Sequence, residues 1–269
     1  MLKDITFGQF YDSKSPIHRI DPRIKIILMI LFIVFIFISK GFPSLLLSAF
    51  CVITVVFISK VPVKMYLKNM KAILPIIIFT AIINVFYASG DTVLLEFWII
   101  TITLEGIEKA VFMALRILLL IFISSALTYT TTPNDLTDAI ESLLSPLKFI
   151  GLKSAVHTLA MMMTIALRFI PTLIEEAEKI MNAQKARGAD LESGGLIERV
   201  KALIPILIPL LISSVRRAYE LAEAMECRCY NGGEGKTRMK QMRLKVLDLV
   251  SCVISVLMCA AVIALNILL

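Results

Sequence analysis

Long stretches without a formal charge alternate with short clusters of lysine and arginine along this chain. Ile26–Ser39 runs for 14 uncharged residues, Gly41–Ser59 for 19, Ala72–Gly90 for 19, Ile117–Asn134 for 18 and Leu249–Leu269 for 21. A span needs about 20 mostly apolar residues at about 1.5 Å of helical rise each, so these five runs predict transmembrane helices. The first is short, and Lys25 and Lys40 at its ends are expected to snorkel. Ala110–Leu115 extends the fourth on the far side of Arg116. Leu94–Leu104, interrupted by Glu96, is too short to span and reads as an outer loop or a membrane-surface segment.

Two further apolar runs, Ser154–Leu167 and Ala202–Val215, have 14 uncharged residues each. Runs of about 10–14 suit buried or interfacial helices better than spans. Each continues without a turn signal into a charged, helically periodic segment. In the first, Leu173, Ala177, Ile180, Met181 and Gln184 share a face opposite Glu175, Glu176, Lys179, Asn182 and Lys185. In the second, Ile212, Val215, Tyr219, Ala222 and Met225 form the stripe opposite Arg216, Arg217, Glu220 and Glu223. Pro171, Pro205 and Pro209 are expected to kink these helices without ending them. The pattern predicts two long helices, first halves against the membrane and last halves projecting toward water.

Composition sharpens this picture. Of 269 residues 58% are hydrophobic and only 18% charged, with a mean hydropathy of +0.85, whereas soluble domains are about 25% charged. A soluble globular protein is excluded. The net charge of +7 suits anionic lipid or acidic partners. Scattered basic residues, one Trp and six Tyr argue against nucleic acid as a partner. The five cysteines, Cys51, Cys227, Cys229, Cys252 and Cys259, do not form a disulfide framework pattern. No secretory signal peptide is expected, since acids and bases precede the first apolar run.

The basic residues also predict orientation. Lys3, Lys14, Arg19, Arg23 and Lys25 precede the first span, and Lys60, Lys64, Lys68 and Lys71 follow the second, whereas Asp91–Gly106 holds no basic residue. The positive-inside rule then places the N-terminus in the cytoplasm and the C-terminus outside. The predicted organisation is a membrane region of four spans over residues 1–132, a cytoplasmic helical module over 133–243 and a C-terminal span over 244–269.

The two cytoplasmic helices are weakly alike at an offset of 41 residues: Ala177 aligns with Ala218, Ala183 with Ala224 and Arg187 with Arg228. Each ends in an arginine between small residues, Ala186-Arg187-Gly188 and Cys227-Arg228-Cys229, followed by loops at Asp190–Gly195 and Asn231–Gly235. One reading is capping: a C-terminal arginine complements the helix dipole and Gly188 terminates the helix. The other is docking, in which an unhindered guanidinium enters an acidic groove on a partner and binds carboxylates bidentately. Glu175 and Glu176 occupy the repeat positions of Arg216 and Arg217, so the helices are candidates for mutual charge pairing.

Other constellations carry less. Gly235-Lys236-Thr237 looks like the end of a phosphate-binding loop, but Tyr230 stands where the motif needs glycine, so this chain is not expected to bind ATP. Cys227 and Cys229 lack the His or further Cys that a zinc site requires. His18 belongs to the cap before the first span, with Asp21 as N-cap and Pro22 as first helical residue. Thr132-Pro133-x-Asp135 reads likewise as a helix start. Arg116, inside a span, is expected to pair within the bundle. Met161, Met162 and Met163 fill a core or form an adaptable partner surface. No cofactor, metal or catalytic residue is expected.

The chain resembles the transmembrane T components of energy-coupling-factor transporters, the ABC-type importers of vitamins and transition metals. The resemblance rests on Gln9-Phe10-Tyr11, on Ser15-Pro16-Ile17-His18-Arg19-Ile20-Asp21-Pro22-Arg23, on Thr132-Pro133-Asn134-Asp135-Leu136, on Leu167-Arg168-Phe169-Ile170-Pro171 and on the paired arginine motifs. It implies an all-α membrane protein with about five transmembrane helices and a module of long crossed coupling helices. It further implies a non-catalytic scaffold in a bacterial or archaeal cell membrane, whose partners are two cytoplasmic ABC ATPase subunits and a small substrate-binding S subunit. Ala186, Arg187, Gly188, Cys227, Arg228 and Cys229 would dock the ATPases; Met161, Met162, Met163, Ile206 and Leu210 would contact the S subunit. The second motif departs from the family's Ala-Arg-Gly by having cysteine at both small positions. The alternatives are a membrane-embedded enzyme and a secondary transporter with a cytoplasmic helical lid. The first lacks a nucleophile–base or metal-ligand grouping, and the second would be expected to show an inverted repeat of spans.

Overall fold

The computed structural model describes residues 10–87, 92–97, 100–146, 153–189, 195–231 and 244–268. Helices dominate: α1 is Pro22–Ile38, α2 Phe42–Ser59, α3 Val63–Tyr87, α4 Leu104–Thr130, α5 Pro133–Leu143, α6 Lys153–Ala186, α7 Leu196–Cys227 and α8 Val246–Leu268. A short antiparallel hairpin, β1 (Val93–Phe97) with β2 (Ile100–Thr103), occupies the segment expected to be an outer loop or a membrane-surface segment. The alternation Thr101-Ile102-Thr103 and the β-branched residues there suit a strand. The chain divides into two compact units, one holding α1 to α4, the hairpin and α8, the other α5 to α7.

Local chemistry sets the helix starts. Asp21 caps α1, its carboxylate accepting from Arg23 N at 3.0 Å, with Pro22 at the first helical position. At the start of α2 the Ser44 hydroxyl donates to Gly41 O at 2.8 Å and takes the Gly41 N–H at 3.4 Å. Thr103 caps α4 by accepting from Gly106 N, and the Glu198 carboxylate returns to Gly195 N at the start of α7. α5 opens on Pro133 with Asp135 in its first turn. The prolines at 75, 171, 205 and 209 all lie inside continuous helices.

Among the described residues six helices are long and apolar enough to cross a membrane: α2, α3, α4, α6, α7 and α8. α1 has 17 residues against 18 in the shortest of these, and it is the most continuously apolar run near the N-terminus. α6 and α7 reach 34 and 32 residues by joining an apolar first half to a charged second half. The unit of α1 to α4 and α8 is built inside out by aqueous standards. Phe37, Leu46, Phe50, Phe57, Phe79 and Leu257 face outward, the arrangement a hydrocarbon solvent requires. Its interior is a cluster of Phe32, Ile36, Leu45, Cys51, Val52, Leu119 and Ile123. A second cluster joins Val61, Tyr66, Ala126 and Tyr129, with the two tyrosine rings edge to face at 5.1 Å.

The ends of this bundle are tied by cations and by a strap. Lys25 does not snorkel: it is 7% exposed, and its ammonium donates to Thr130 O at 2.7 Å. The physical reason is that α4 ends there, leaving carbonyls without intrahelical donors. Arg116 does the reciprocal work, donating to Ser39 O at 2.7 Å where α1 ends, with its guanidinium 4.7 Å from the Phe112 ring. It thus pairs inside the bundle, with a backbone carbonyl. The Asn266 amide bridges the α1–α2 turn, donating to Ile38 O and accepting from Lys40 N.

The strap is residues 10–21. Tyr11 N donates to Tyr129 O at 2.9 Å, and Ser13 Oγ donates to Ser59 O at 3.0 Å. His18 sits between Tyr11 O (2.8 Å from Nε2) and Ser15 Oγ (2.6 Å from Nδ1). The carbonyl can only accept, so Nε2 carries the proton and Nδ1 takes the serine hydroxyl. His18 is therefore structural.

Candidate functional site: two arginine-tipped helix ends

α6 and α7 form one crossed pair. The Glu176 carboxylate receives Arg217 Nη2 at 2.9 Å and Nε at 3.2 Å, and the Ser213 hydroxyl also donates to it. Gln184 Nε2 donates to Pro205 O at 3.4 Å. Moving from Glu176 to Gln184 along α6 thus means moving backward along α7, so the helices run in opposite senses where they meet. Their charged second halves diverge from the crossing and do not lie side by side. Glu176 and Arg217 are equivalents under the 41-residue offset, so the ion pair lies on the pair's approximate two-fold axis. Arg187 is eleven residues beyond Glu176, and Arg228 eleven beyond Arg217. The arms are equal, and at about 1.5 Å per residue the two tips stand up to about 33 Å apart.

Both arms end in the same way. After Ala186, Gly188 N donates to Lys185 O at 3.0 Å and Ala189 N to Gln184 O at 3.0 Å, with Gly188 at φ 87°. After Cys227, Cys229 N donates to Glu226 O at 2.8 Å and Tyr230 N to Met225 O at 3.0 Å, with Cys229 at φ 53°. Each is a Schellman ending: a left-handed residue folds the chain back so that two orphan carbonyls are satisfied. The arginine is the C-cap residue in both. Glycine reaches the left-handed region freely, whereas a Cβ makes it costly. Cys229 adopts it nonetheless, so the departure from Ala-Arg-Gly leaves the helix-end geometry unchanged.

Arg187 and Arg228 are exposed, as are Ala186, Gly188, Cys227 and Cys229. Neither guanidinium has a side-chain partner among the described residues. Backbone donors already satisfy the helix ends, so the arginines are not needed as caps and each leaves five N–H donors for an outside acceptor. The loop residues 190–194 and 232–235, and the Gly235-Lys236-Thr237 sequence, lie outside the described residues.

The apolar halves place the other expected residues unevenly. Met162 is 52% exposed and Met163 is exposed, while Met161 is only partly so. Ile206 is 7% exposed and turns inward, while Leu210 is partly exposed. The outward stripe of α7 is Leu203, Leu207 (58%) and Leu211 (65%), flanked by Ile204, Ile208 and Ile212. Sequence reasoning missed this stripe. The i, i+4, i+8 spacing of Leu203, Leu207 and Leu211 was its available signal, but a segment apolar on every face does not reveal which face is outward.

Known proteins resemble this chain over most of its length. The cobalt transport protein family CbiQ matches residues 13–239. The chain is 56% identical over 249 residues, 92% of each chain, to the energy-coupling factor transporter transmembrane protein EcfT of Ruminiclostridium cellulolyticum. It is 48% identical over 266 residues, 98% of each, to the protein of that name from Clostridium kluyveri. It is 50% identical over 243 residues, 90% of this chain and 89% of the other, to that of Acidaminococcus fermentans.

Proposed function

The chain belongs to the CbiQ/EcfT family of multi-pass membrane transport proteins, and we propose that it is the scaffold that couples two cytoplasmic ABC ATPases to a small membrane-embedded substrate-binding subunit for uptake of a vitamin or transition metal. ATP turnover belongs to the partners, and this chain transmits force. The observation that carries the reading is the pair of alike, internally satisfied helix ends that each present an arginine without a side-chain partner among the described residues.

Each guanidinium enters an acidic groove on one ATPase and forms a bidentate pair with a carboxylate. When ATP draws the ATPases together, the tips at Arg187 and Arg228 move, and the arms turn about the Glu176–Arg217 contact. The apolar halves of α6 and α7, exposing Met162, Met163, Leu207 and Leu211, pack on the substrate-binding subunit and reorient it within the bilayer. The basic N-terminal segment and the lysines after α2 support an N-terminus in the cytoplasm by the positive-inside rule.

The test is charge reversal. Arg187→Glu and Arg228→Glu each set like charge against the acidic groove, a loss of about 2–5 kcal/mol where the pair is buried. We expect the double variant to reach the membrane, to lose co-purifying ATPases and to abolish ATP-dependent uptake in reconstituted vesicles. Retention of both ATPases with normal uptake overturns the proposal.

A further inference from the structure

We propose that a cavity among α1, α2, α4 and α8 takes one acyl chain of an anionic phospholipid, whose phosphate is bound by Arg19, Arg23 and Lys245 at the cavity's end. The cavity has a volume of about 280 Å³ and an almost wholly apolar wall that includes Leu28, Met29, Val55, Leu127 and Met258. Interior voids in proteins seldom exceed one water molecule, and an apolar cavity of about 150 Å³ stays dry and takes an apolar guest. This one is larger and no better suited to water. Its floor is buried at Phe32, Cys51 and Ile123, while Ile58, Val250 and Ile254 on its rim are exposed. It therefore opens on the outer surface of the bundle, where hydrocarbon tails lie.

The end of the cavity is defined by Ile20 and Leu247, and hydrogen bonds lock the segments carrying them together. Asp21 N donates to Asp248 Oδ1 at 2.8 Å and Lys245 N donates to Asp248 Oδ2 at 2.6 Å. The segments that carry Arg19, Arg23 and Lys245 are thereby joined at that end, although none of the three lines the cavity wall. Of the two acids beside them, Asp21 reaches Arg23 only at 4.0 Å. Asp21 and Asp248 are buried, and their carboxylates accept from backbone N–H groups. Arg23 Nε lies 4.0 Å from Asp21 Oδ1 and is a buried donor with no hydrogen-bond partner. An apolar slot ending in cations fits an amphiphile with a negative head; a zwitterionic lipid offers the same phosphate but brings its own ammonium to that end, so it compensates the cations less. The inference rests on the Arg19 end of the bundle lying at the anionic cytoplasmic leaflet, and is independent of arginine docking.

The experiment is native mass spectrometry of the full chain taken from vesicles of phosphatidylcholine alone or phosphatidylcholine with phosphatidylglycerol at three to one. We expect one retained phosphatidylglycerol per chain and a preference for it over phosphatidylcholine. Removing each cation in R19Q, R23Q and K245Q should weaken retention about fivefold. Ser255→Phe, which fills the buried wall, should abolish it, and Met29→Phe serves if that variant does not fold. R187E/R228E should retain the lipid fully, which separates failure here from failure of the docking reading. Absence of a retained lipid, bound detergent alone, equal retention of the two lipids, or retention unaffected by the charge variants overturns the proposal.

Discussion

The bundle of α1 to α4 and α8 and the crossed pair α6–α7 treat a helix C-terminus in opposite ways. In the bundle, cations from neighbouring helices close the ends: Lys25 on Thr130 O and Arg116 on Ser39 O. In the crossed pair the backbone closes each end by itself, and the arginine there is left outward. Burial accounts for the difference. A carbonyl facing hydrocarbon or packed protein has no water to bond, so an internal donor is obligatory. A tip in water needs none, and its arginine is available for a partner. An arginine near a helix end is thus evidence of neither capping nor docking until the carbonyls have been accounted for.

The largest contrast should appear between stability and coupling. Lys25→Met strands Thr130 O, and Arg116→Met strands Ser39 O. Each should cost about 1.5–3 kcal/mol, the range for hydrogen bonds to charged groups, read as a lower unfolding midpoint in detergent. Arg187→Ala and Arg228→Ala should leave that midpoint within about 0.5 kcal/mol, as exposed substitutions do, while ATPase recovery falls. A stability loss at the tips as large as that at Lys25 would erase the distinction.

The ion pair at the crossing sharpens it further. Glu176 and Arg217 are partly exposed, at 20% and 37% of their side chains, so a double-mutant cycle with Glu176→Gln and Arg217→Gln should give only the small coupling of a solvent-screened pair. The reversed pair, Glu176→Arg with Arg217→Glu, should recover most of the uptake lost by either change alone. No recovery would mean that the contact does not set the arms' geometry. The smallest effect is expected at Cys229, where Cys229→Gly removes the left-handed penalty. It should stabilise by up to about 1 kcal/mol with uptake unchanged.

Much of this was legible in the chain itself where the determinant is local. Charge-free runs marked five helices, Asp21-Pro22 marked the start of α1, Gly188 marked the end of α6, and the repeat offset brought Glu176 to Arg217. What was not legible depends on distant backbone. Lys25 bonds a carbonyl 105 positions away, and a carbonyl carries no residue-type signature, so a lysine at a span's end reads as snorkelling. Cys229 hides a left-handed turn because that conformation is expected of glycine or asparagine. Ile206 came from a segment apolar on every face, and packing turned it inward.

The equal spacing from crossing to tip has a consequence for how this sequence can change. Deleting one residue between Glu176 and Arg187 swings that side chain about 100° around the helix axis and draws it in by about 1.5 Å. A substitution at the surface is forgiven there; a frame slip is not. Under the docking proposal, insertions and deletions are therefore expected to be constrained in both arms, although 41 positions of chain separate their matching residues.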